Sequence, residues 1–512
     1  MRLSAKNDLR RLVIAVAMLV VLGYVYDKLS WTIPVNSDNA SPVLEAYSIV
    51  HGNFLLHGWT TSADNYYTID YFFYEVIGAV SGFGPALMHH APAAIYAALV
   101  TMVLWVSQSR LAGVERYTAV MIPLIIVGMP AGLMADVSLL GPYHTATMLF
   151  MLVSFYEMDR CTKNTRIRDL LLVVLLLAFS VFGDPFSIWI GVVPMLLVLS
   201  TYLRQPNRVP LRQLAYLIGT VVLAMMVATI GARIFHGLGG MSFDPLNAAF
   251  VTLAALPGNI WLGIQGILGL FGLSFFGAPP ASEQAVSGLW HATQLAFVCA
   301  TVVGSLRYWR VRDQRMGFLE RALLTSMVID LLAYIFSNQP VNIWTSRYLA
   351  PIVVFGAVLA ARTVAPAIAR ARWGAAGVTV YALISLVFFL PGLLVTPPPP
   401  PQAQLGAWLV AHNLHVGYAG YWNSNIVTVE TGGDVAVRPV LFNGGKITPF
   451  LWNSSISWYG RPAHFVVYDS SNWGDVNLGT IEQTFGKPNR VAQVGSYYVA
   501  VWKRSITAAL NT

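Results

Sequence analysis

Charge is scarce in this chain. Only 11% of its 512 residues are Asp, Glu, Lys or Arg, against 56% hydrophobic. A soluble domain carries about 25% charged residues, so an ordinary water-soluble fold is excluded and most of the chain must be held in lipid. Cysteine is nearly missing too. Cys161 and Cys299 are the full complement, which excludes a disulfide framework or a cysteine metal cluster. No internal repeat is visible, which argues against a transporter built from duplicated halves. The net charge of +8 does not indicate nucleic acid. The basic residues sit in short loops between apolar runs, the distribution of the positive-inside rule.

One stretch lacks basic residues altogether. Residues 36–75 hold five carboxylates (Asp38, Glu45, Asp64, Asp70, Glu75) together with His51 and His57, but no Lys or Arg. Acids gathered beside a bilayer without countercharge mark a place for protons, a metal or a polar substrate; the competing reading is a solvated loop. Apolar residues at helical spacing (Leu44, Ala46, Tyr47, Val50) predict an amphipathic helix over 43–56, lying at the membrane surface.

Apolar runs and basic loops then set the expected topology. The basic residues 1–11 precede an apolar run at 12–26 with no small-residue cleavage site after it. An uncleaved anchor is expected, with the N-terminus inside and the acidic stretch outside. Residues 71–83 fall short of the ~20 needed to span and read as an interfacial helix, with Tyr66, Tyr67, Tyr71 and Tyr74 at headgroup depth. Further spans are expected at 88–107, 117–134, 143–158, 170–182, 186–203, 214–234, 289–306, 318–336, 349–365 and 374–393. Counting the Gly-rich run 260–276 as another would place the basic loop that follows residue 306 outside, so it reads as re-entrant or interfacial.

The five prolines 397–401 form a stiff spacer. Residues 402–505 alternate strand and helix patterns, as in a small α/β domain. The expected fold class is a polytopic α-helical membrane protein of about eleven spans, with a transmembrane domain over 1–396, a first outer loop over 29–87, and a C-terminal α/β domain outside.

Candidate chemistry collects in the outer loops. Asp38 lies in the first, Asp136 in the second and Asp184 in the third, while Arg347 and Tyr348 stand at the mouth of a late span. Carboxylates there can deprotonate a hydroxyl or hold a divalent cation, and an arginine fork suits phosphate. His57, Asp64 and His144 are further substrate-binding candidates. Asp38, Asp136 and Asp184 also suit helix caps, Asp184 most of all, before Pro185. Asp330 falls in mid-span, where a buried hydrogen bond is favoured over a proton relay. His89-His90 with His144 is a weak metal signal.

The loop Asn36-Ser37-Asp38, followed by His51-Gly52-Asn53, His57-Gly58-Trp59, a second outer acid and a late Arg347-Tyr348, resembles the GT-C superfamily of membrane glycosyltransferases. These include protein O-mannosyltransferases and aminoarabinose transferases. The resemblance covers residues 12–393. It implies a sugar donor on polyprenyl phosphate and transfer to a glycan, lipid or protein acceptor outside the cytoplasmic membrane. Asp38 matches the family's base or acceptor-orienting group, Asp136 its second-loop acid, and Arg347 by position its donor-phosphate contact. The adjacent acidic pair that some members use for metal is lacking here, which leaves a divalent cation open and no other cofactor implied. The alternatives are a transporter or flippase of lipid-linked sugars, and a non-catalytic assembly or sensor protein.

Overall fold

A computed structural model describes residues 2–109, 111–204, 208–244, 247–310, 316–397 and 399–511. The chain opens with α1 (Arg2–Ser30), then α2 (Ser37–Val50), a short strand β1 (Trp59–Thr61) and α3 (Tyr71–Ser81). The bundle continues through α4 (Leu87–Gln108), α5 (Gly113–Ile126), α6 (Leu133–Leu139), α7 (Thr145–Cys161) and α8 (Ile167–Gly183). A π-helical turn leads into α9 (Val193–Tyr202), and α10 (Leu211–Gly237) follows. After β2 (Ser242–Phe243) come α11 (Leu256–Leu270), α12 (Glu283–Arg310), α13 (Phe318–Phe336), α14 (Ala350–Thr363), α15 (Ala365–Arg370) and α16 (Gly374–Leu394).

Six helical stretches among the described residues are long and apolar enough to cross a membrane: Leu12–Ser30, Leu87–Gln108, Leu211–Gly237, Glu283–Arg307, Ile343–Arg370 and Gly374–Leu394. The expected span 318–336 is a helix of 19 residues that carries Glu320, Arg321 and Asp330, and the other expected spans are shorter helices. The run 117–134 stops at Ile126, and Gly132, with φ of 52°, turns the chain into α6. The run 186–203 is interrupted by the π turn. At 1.5 Å per residue, the 17 residues each of α7 and α8 reach about 26 Å, less than the ~30 Å hydrocarbon core. The 15 residues of α11 are shorter still, and that helix packs on α13 and α6.

The first loop differs from its sequence reading in two ways. Its helix begins at Ser37, because Asn36 caps it, and ends near His51, before Gly52 takes a left-handed φ of 101°. The buried face is therefore Ala40, Val43, Ala46 and Ile49, while Tyr47 and Val50 are exposed. In α3, Tyr71 and Tyr74 are buried in protein, as is Tyr66 before it, so their rings pack on protein and do not face lipid. The exposed face carries Phe72, Val76 and Val80 instead, one helical turn apart.

Pro401, the last of the five prolines, supplies the first residue of α17 (Pro401–Ala411), where its missing N–H costs nothing; the spacer is shorter than expected by that residue. Then follow β3 (Val416–Ala419), α18 (Asn425–Glu430), β4 (Ala436–Asn443), β5 (Lys446–Pro449), β6 (Ser454–Ser455), β7 (Phe465–Asp469), α19 (Leu478–Phe485), β8 (Arg490–Val494) and β9 (Tyr497–Val501).

Six strands form one sheet in the order β5-β4-β3-β7-β9-β8, with β4, β3 and β7 parallel. Phe465 and Val467 point to one face and Val466 to the other, the alternation that a strand imposes. The first face packs into the same apolar core as Val43, Leu56, Trp59 and Tyr74 of the first loop. A second sheet, β2-β1-β6, joins the first loop to the segment after α10 and to the C-terminal domain. The domain is thus fastened to the bundle by shared core and by backbone pairing.

Candidate active site

The cap that starts α2 also aims Asp38. The Asp38 N–H donates to Asn36 Oδ1 at 2.8 Å, and the Asn36 N–H donates to Asn39 Oδ1 at 2.7 Å. These two bonds satisfy donors that a helix N-terminus otherwise leaves free. The Asn39 amide reaches on to the Leu140 carbonyl and ties α2 to the segment leading to Tyr143. Asp38 and Glu45, seven residues apart, fall on one face of α2. That face borders a cavity of about 290 Å³, which Asp64, Tyr143, Arg347 and Tyr348 also line. Trp452 and Asn453 of the C-terminal domain close it.

The carbonyls at the end of α8 fasten the rest of the first loop. Tyr66 N–H donates to Gly183 O at 2.7 Å, Asn65 Nδ2 to Phe182 O at 2.8 Å, and Thr68 Oγ1 to Phe179 O at 2.5 Å. A helix C-terminus leaves such carbonyls without internal partners. A Cβ on Gly183 would come within 2.8 Å of Thr68 Oγ1, so glycine permits the close approach.

The same contact brings Asp64 towards Asp184, the residue after α8. Asp184 is fully buried; it accepts from His144 Nδ1–H at 2.7 Å and from Thr147 Oγ1 at 2.5 Å. Its other oxygen accepts the Phe186 N–H at 3.1 Å, so it caps a turn and orients a histidine at once. His144 itself holds a left-handed φ of 68°, a strain of about 1–3 kcal/mol of the kind that clusters at functional sites.

Burial sets the electrostatics. It pushes the Asp38 carboxyl above its usual range, opposed first by the Tyr421 hydrogen bond, then by the Arg347 charge and the Tyr143 hydroxyl. Glu45 is raised to about 7 by burial, against the hydrogen bond that the Tyr71 hydroxyl donates to it. Asp64 is raised to about 6, by burial and then by the Asp184 charge, with His144 and Arg347 opposing. Asp70, fully buried with neither carboxylate oxygen bonded, is raised well above its usual range by burial and by Asp184.

Arg347 lies with its guanidinium 5.4 Å from the Tyr143 ring centre and 5.0 Å from that of Tyr348. Its Nε is buried without a partner. This places a cation beside the cavity, over aromatic faces that favour it.

Asp64, His144 and Asp184 each offer one ligand atom within 4.8 Å of the others. The two uses of His144 exclude each other: with Nδ1–H given to Asp184, Nε2 points away from that carboxylate and is buried without a partner, whereas a shared cation would take Nδ1 as its ligand in place of that hydrogen bond. One imidazole and two carboxylates fit a divalent cation such as Zn²⁺ or Mn²⁺.

Of the residues singled out in the sequence, Asp38, Asp64, Arg347 and Tyr348 line the cavity, and His144 and Asp184 adjoin it through Tyr348 and Asp64. Asp136, His57 and Asp330 do not gather there. Asp136 sits on α6, where burial alone raises its carboxyl. His57 is exposed, its Nδ1 2.6 Å from Gly239 O, a tie between the first loop and the end of α10. Asp330 is buried in α13 outside the cavity, with its Oδ2 unpartnered.

Tyr143, Tyr421 and Asn453 carried no prediction, and Glu45 was counted only among the acids of the first loop, with no role of its own. Glu45 had a signal, its seven-residue spacing from Asp38. Tyr421 and Asn453 lie almost four hundred residues further along the chain, beyond any local pattern.

A helical bundle, an acid-bearing first loop folded over one end, and an α/β domain seated upon it make up a fold that is found in solved structures as well. Two solved structures of ArnT from Cupriavidus metallidurans share it, one in the apo state and one bound to undecaprenyl phosphate. The TM-score is 0.55 for both, at 11% and 10% identity, over 96% of this chain and 97% of the other. No family model matches the sequence, and no curated protein does.

Proposed function

We propose that the protein is a glycosyltransferase of the cytoplasmic membrane that moves a sugar from a polyprenyl-phosphate donor to an acceptor hydroxyl on the outer side. The observation that carries this reading is a single cavity holding both a base and a phosphate partner, Asp38 and Arg347, where the bundle meets the α/β domain. The undecaprenyl phosphate bound to ArnT, which has the same fold, supports a lipid phosphate as the donor.

In the proposed reaction the acceptor oxygen attacks the anomeric carbon and gives its proton to Asp38. The bond from that carbon to the phosphate oxygen breaks, and its electron pair leaves with the polyprenyl phosphate. Attack opposite the leaving group inverts the anomeric centre. Arg347 stabilises the charge growing on the departing phosphate. A divalent cation held by Asp64, His144 and Asp184 would neutralise phosphate charge at the same end of the cavity. The exposed Phe72, Val76 and Val80 of α3 suit contact with the lipid interface, where the prenyl chain enters. The α/β domain, at 402–505, covers the acceptor. A flippase would spread polar residues along a path through the bundle, whereas these crowd at one end.

Purified protein given a lipid-linked sugar and a hydroxyl acceptor should release free polyprenyl phosphate. Asp38→Asn keeps the size and much of the local hydrogen bonding but removes the base, and should lower release by ~10²-fold or more with normal membrane insertion. Near-normal release by this variant would return Asp38 to a purely structural part.

A further inference from the structure

Tyr421 follows β3, the strand at which the C-terminal sheet changes direction. The chain runs from β3 to β4 on one side and later to β7 on the other. The carboxyl ends of parallel strands at such a reversal are where open α/β sheets present functional groups. Here that end is aimed at the bundle. The Tyr421 hydroxyl donates to Asp38 Oδ1 at 2.5 Å and accepts from Asn453 Nδ2 at 3.3 Å. Its ring is 3% exposed, wedged against Trp422, Phe450 and Trp473 with centroids 5.1, 5.7 and 5.9 Å away. A phenol so packed has little freedom to let go of its acceptor.

We infer that Tyr421 is a positioning residue for Asp38, so that the C-terminal domain, together with the α2 cap, sets the aim of the base. The inference deepens the transferase reading and rests on it for the word base. The contact itself does not depend on the reaction.

Other groups facing Asp38 come from the bundle: the Tyr143 hydroxyl at 3.4 Å from Oδ2, and the Arg347 guanidinium. Glu45, Asp64 and Asp244 share the cavity wall. Of all these, the Tyr421 bond is the strongest influence holding Asp38 in its charged form. Holding one carboxylate oxygen by a rigid phenol leaves the other, under the longer Tyr143 contact, free to accept a proton.

The test compares Tyr421→Phe with Asn425→Ala. Asn425 Nδ2 donates to Ser41 Oγ at 2.9 Å across the same interface without touching Asp38. Two readouts are taken. One is the pH profile of polyprenyl phosphate release. The other is labelling of Asp38 by a water-soluble carbodiimide, read by mass spectrometry, which reacts with the protonated carboxyl and needs no turnover.

Loss of a hydrogen bond to a charged group should move both the acidic limb and the labelling midpoint up by about one pH unit in Tyr421→Phe, and neither in Asn425→Ala. If Tyr421→Phe fails to fold, Asn453→Ala serves instead. It keeps the ring packing, removes the donor that polarises the phenol, and should give a smaller shift in the same direction. An unmoved midpoint in the folded variants, or an equal shift in Asn425→Ala, overturns the inference. A moved labelling midpoint in a protein that transfers no sugar keeps Tyr421 as the partner of Asp38 and overturns the transferase reading alone.

Discussion

A guanidinium beside two phenol rings and a cavity can serve as an anchor or as a phosphate clamp, and one substitution separates the two. Lysine keeps the charge and the packing stem but lacks the planar fork. If Arg347 grips the donor phosphate at two oxygens, Arg347→Lys loses one charge-assisted contact of about 1.5–3 kcal/mol. Donor-dependent release should fall roughly 10- to 100-fold at unchanged protein level. Superimposed curves of rate against donor concentration for wild type and Lys would leave only the anchor.

Glu45 gives a prediction about stability. Its ordinary value is 4.5 and burial raises it to about 7, so between those limits the folded protein binds more protons than the unfolded one. Stability must then fall as pH rises through that window. Asp64, raised to about 6 from 3.8, adds to the fall over the lower part. Glu45→Gln removes its own share, so thermal unfolding of this variant should decline less steeply from pH 6 to 7 than that of wild type, the remaining slope coming from Asp64 and Asp70. A decline as steep as that of wild type would show that Glu45 ionises freely in the fold. Its place on the face of Asp38 could be read from spacing alone, but its depth under Tyr71 could not, since burial depends on what packs above.

The helices followed apolar periodicity, and most were legible for that reason. Their ends were less so, because ends depend on single residues such as Asn36, Gly52 and Gly132 rather than on a repeating pattern. The α2 face was misjudged in part: Ala46 is buried as expected, but it shares the buried face with Ala40, Val43 and Ile49, while Tyr47 and Val50 are exposed. Nor does any sequence pattern show that the loop 65–68 lies on the carbonyls of α8.

That contact predicts the outcome of Gly183→Ala. The new methyl would meet Thr68 Oγ1 at 2.8 Å and Ile69 Cγ1 at 3.2 Å, overpacking that costs about 1–3 kcal/mol. Relief requires the loop to lift, which separates Asp64 from Asp184. Release of polyprenyl phosphate should fall by at least about tenfold, since displacements near 1 Å already cost more than that in a preorganised site. Thr68→Ala in the same background removes the nearest clash and should recover part of the rate. A fully active Gly183→Ala enzyme would mean that the loop can shift without disturbing the acids.

At the scale of the whole molecule, the class was legible from composition and the C-terminal α/β domain from its change in pattern at the prolines. The seam between bundle and domain was not. Tyr421, Asn453 and Ser454 look like ordinary residues of a small soluble domain, and only the fold brings them onto Asp38 and β1. Because that seam and the acids share one end of the bundle, one topological fact decides the side on which the chemistry occurs.

The positive-inside rule places the basic loops near Cys161 and Arg370 in the cytoplasm. Asp184 and Pro401 are then expected outside, the side on which the proposed transfer takes place. Reporters that are active only in the cytoplasm should light up when fused after Cys161 or Arg370, and stay silent after Asp184 or Pro401. Reporters active only outside should give the reverse. A cytoplasmic signal at Pro401 would put Asp38, Arg347 and the α/β domain inside together, since they form one cavity. The donor would then have to be used on the cytoplasmic leaflet, and the proposed outer-face transfer would fail whatever the kinetics of the Asp38 variant.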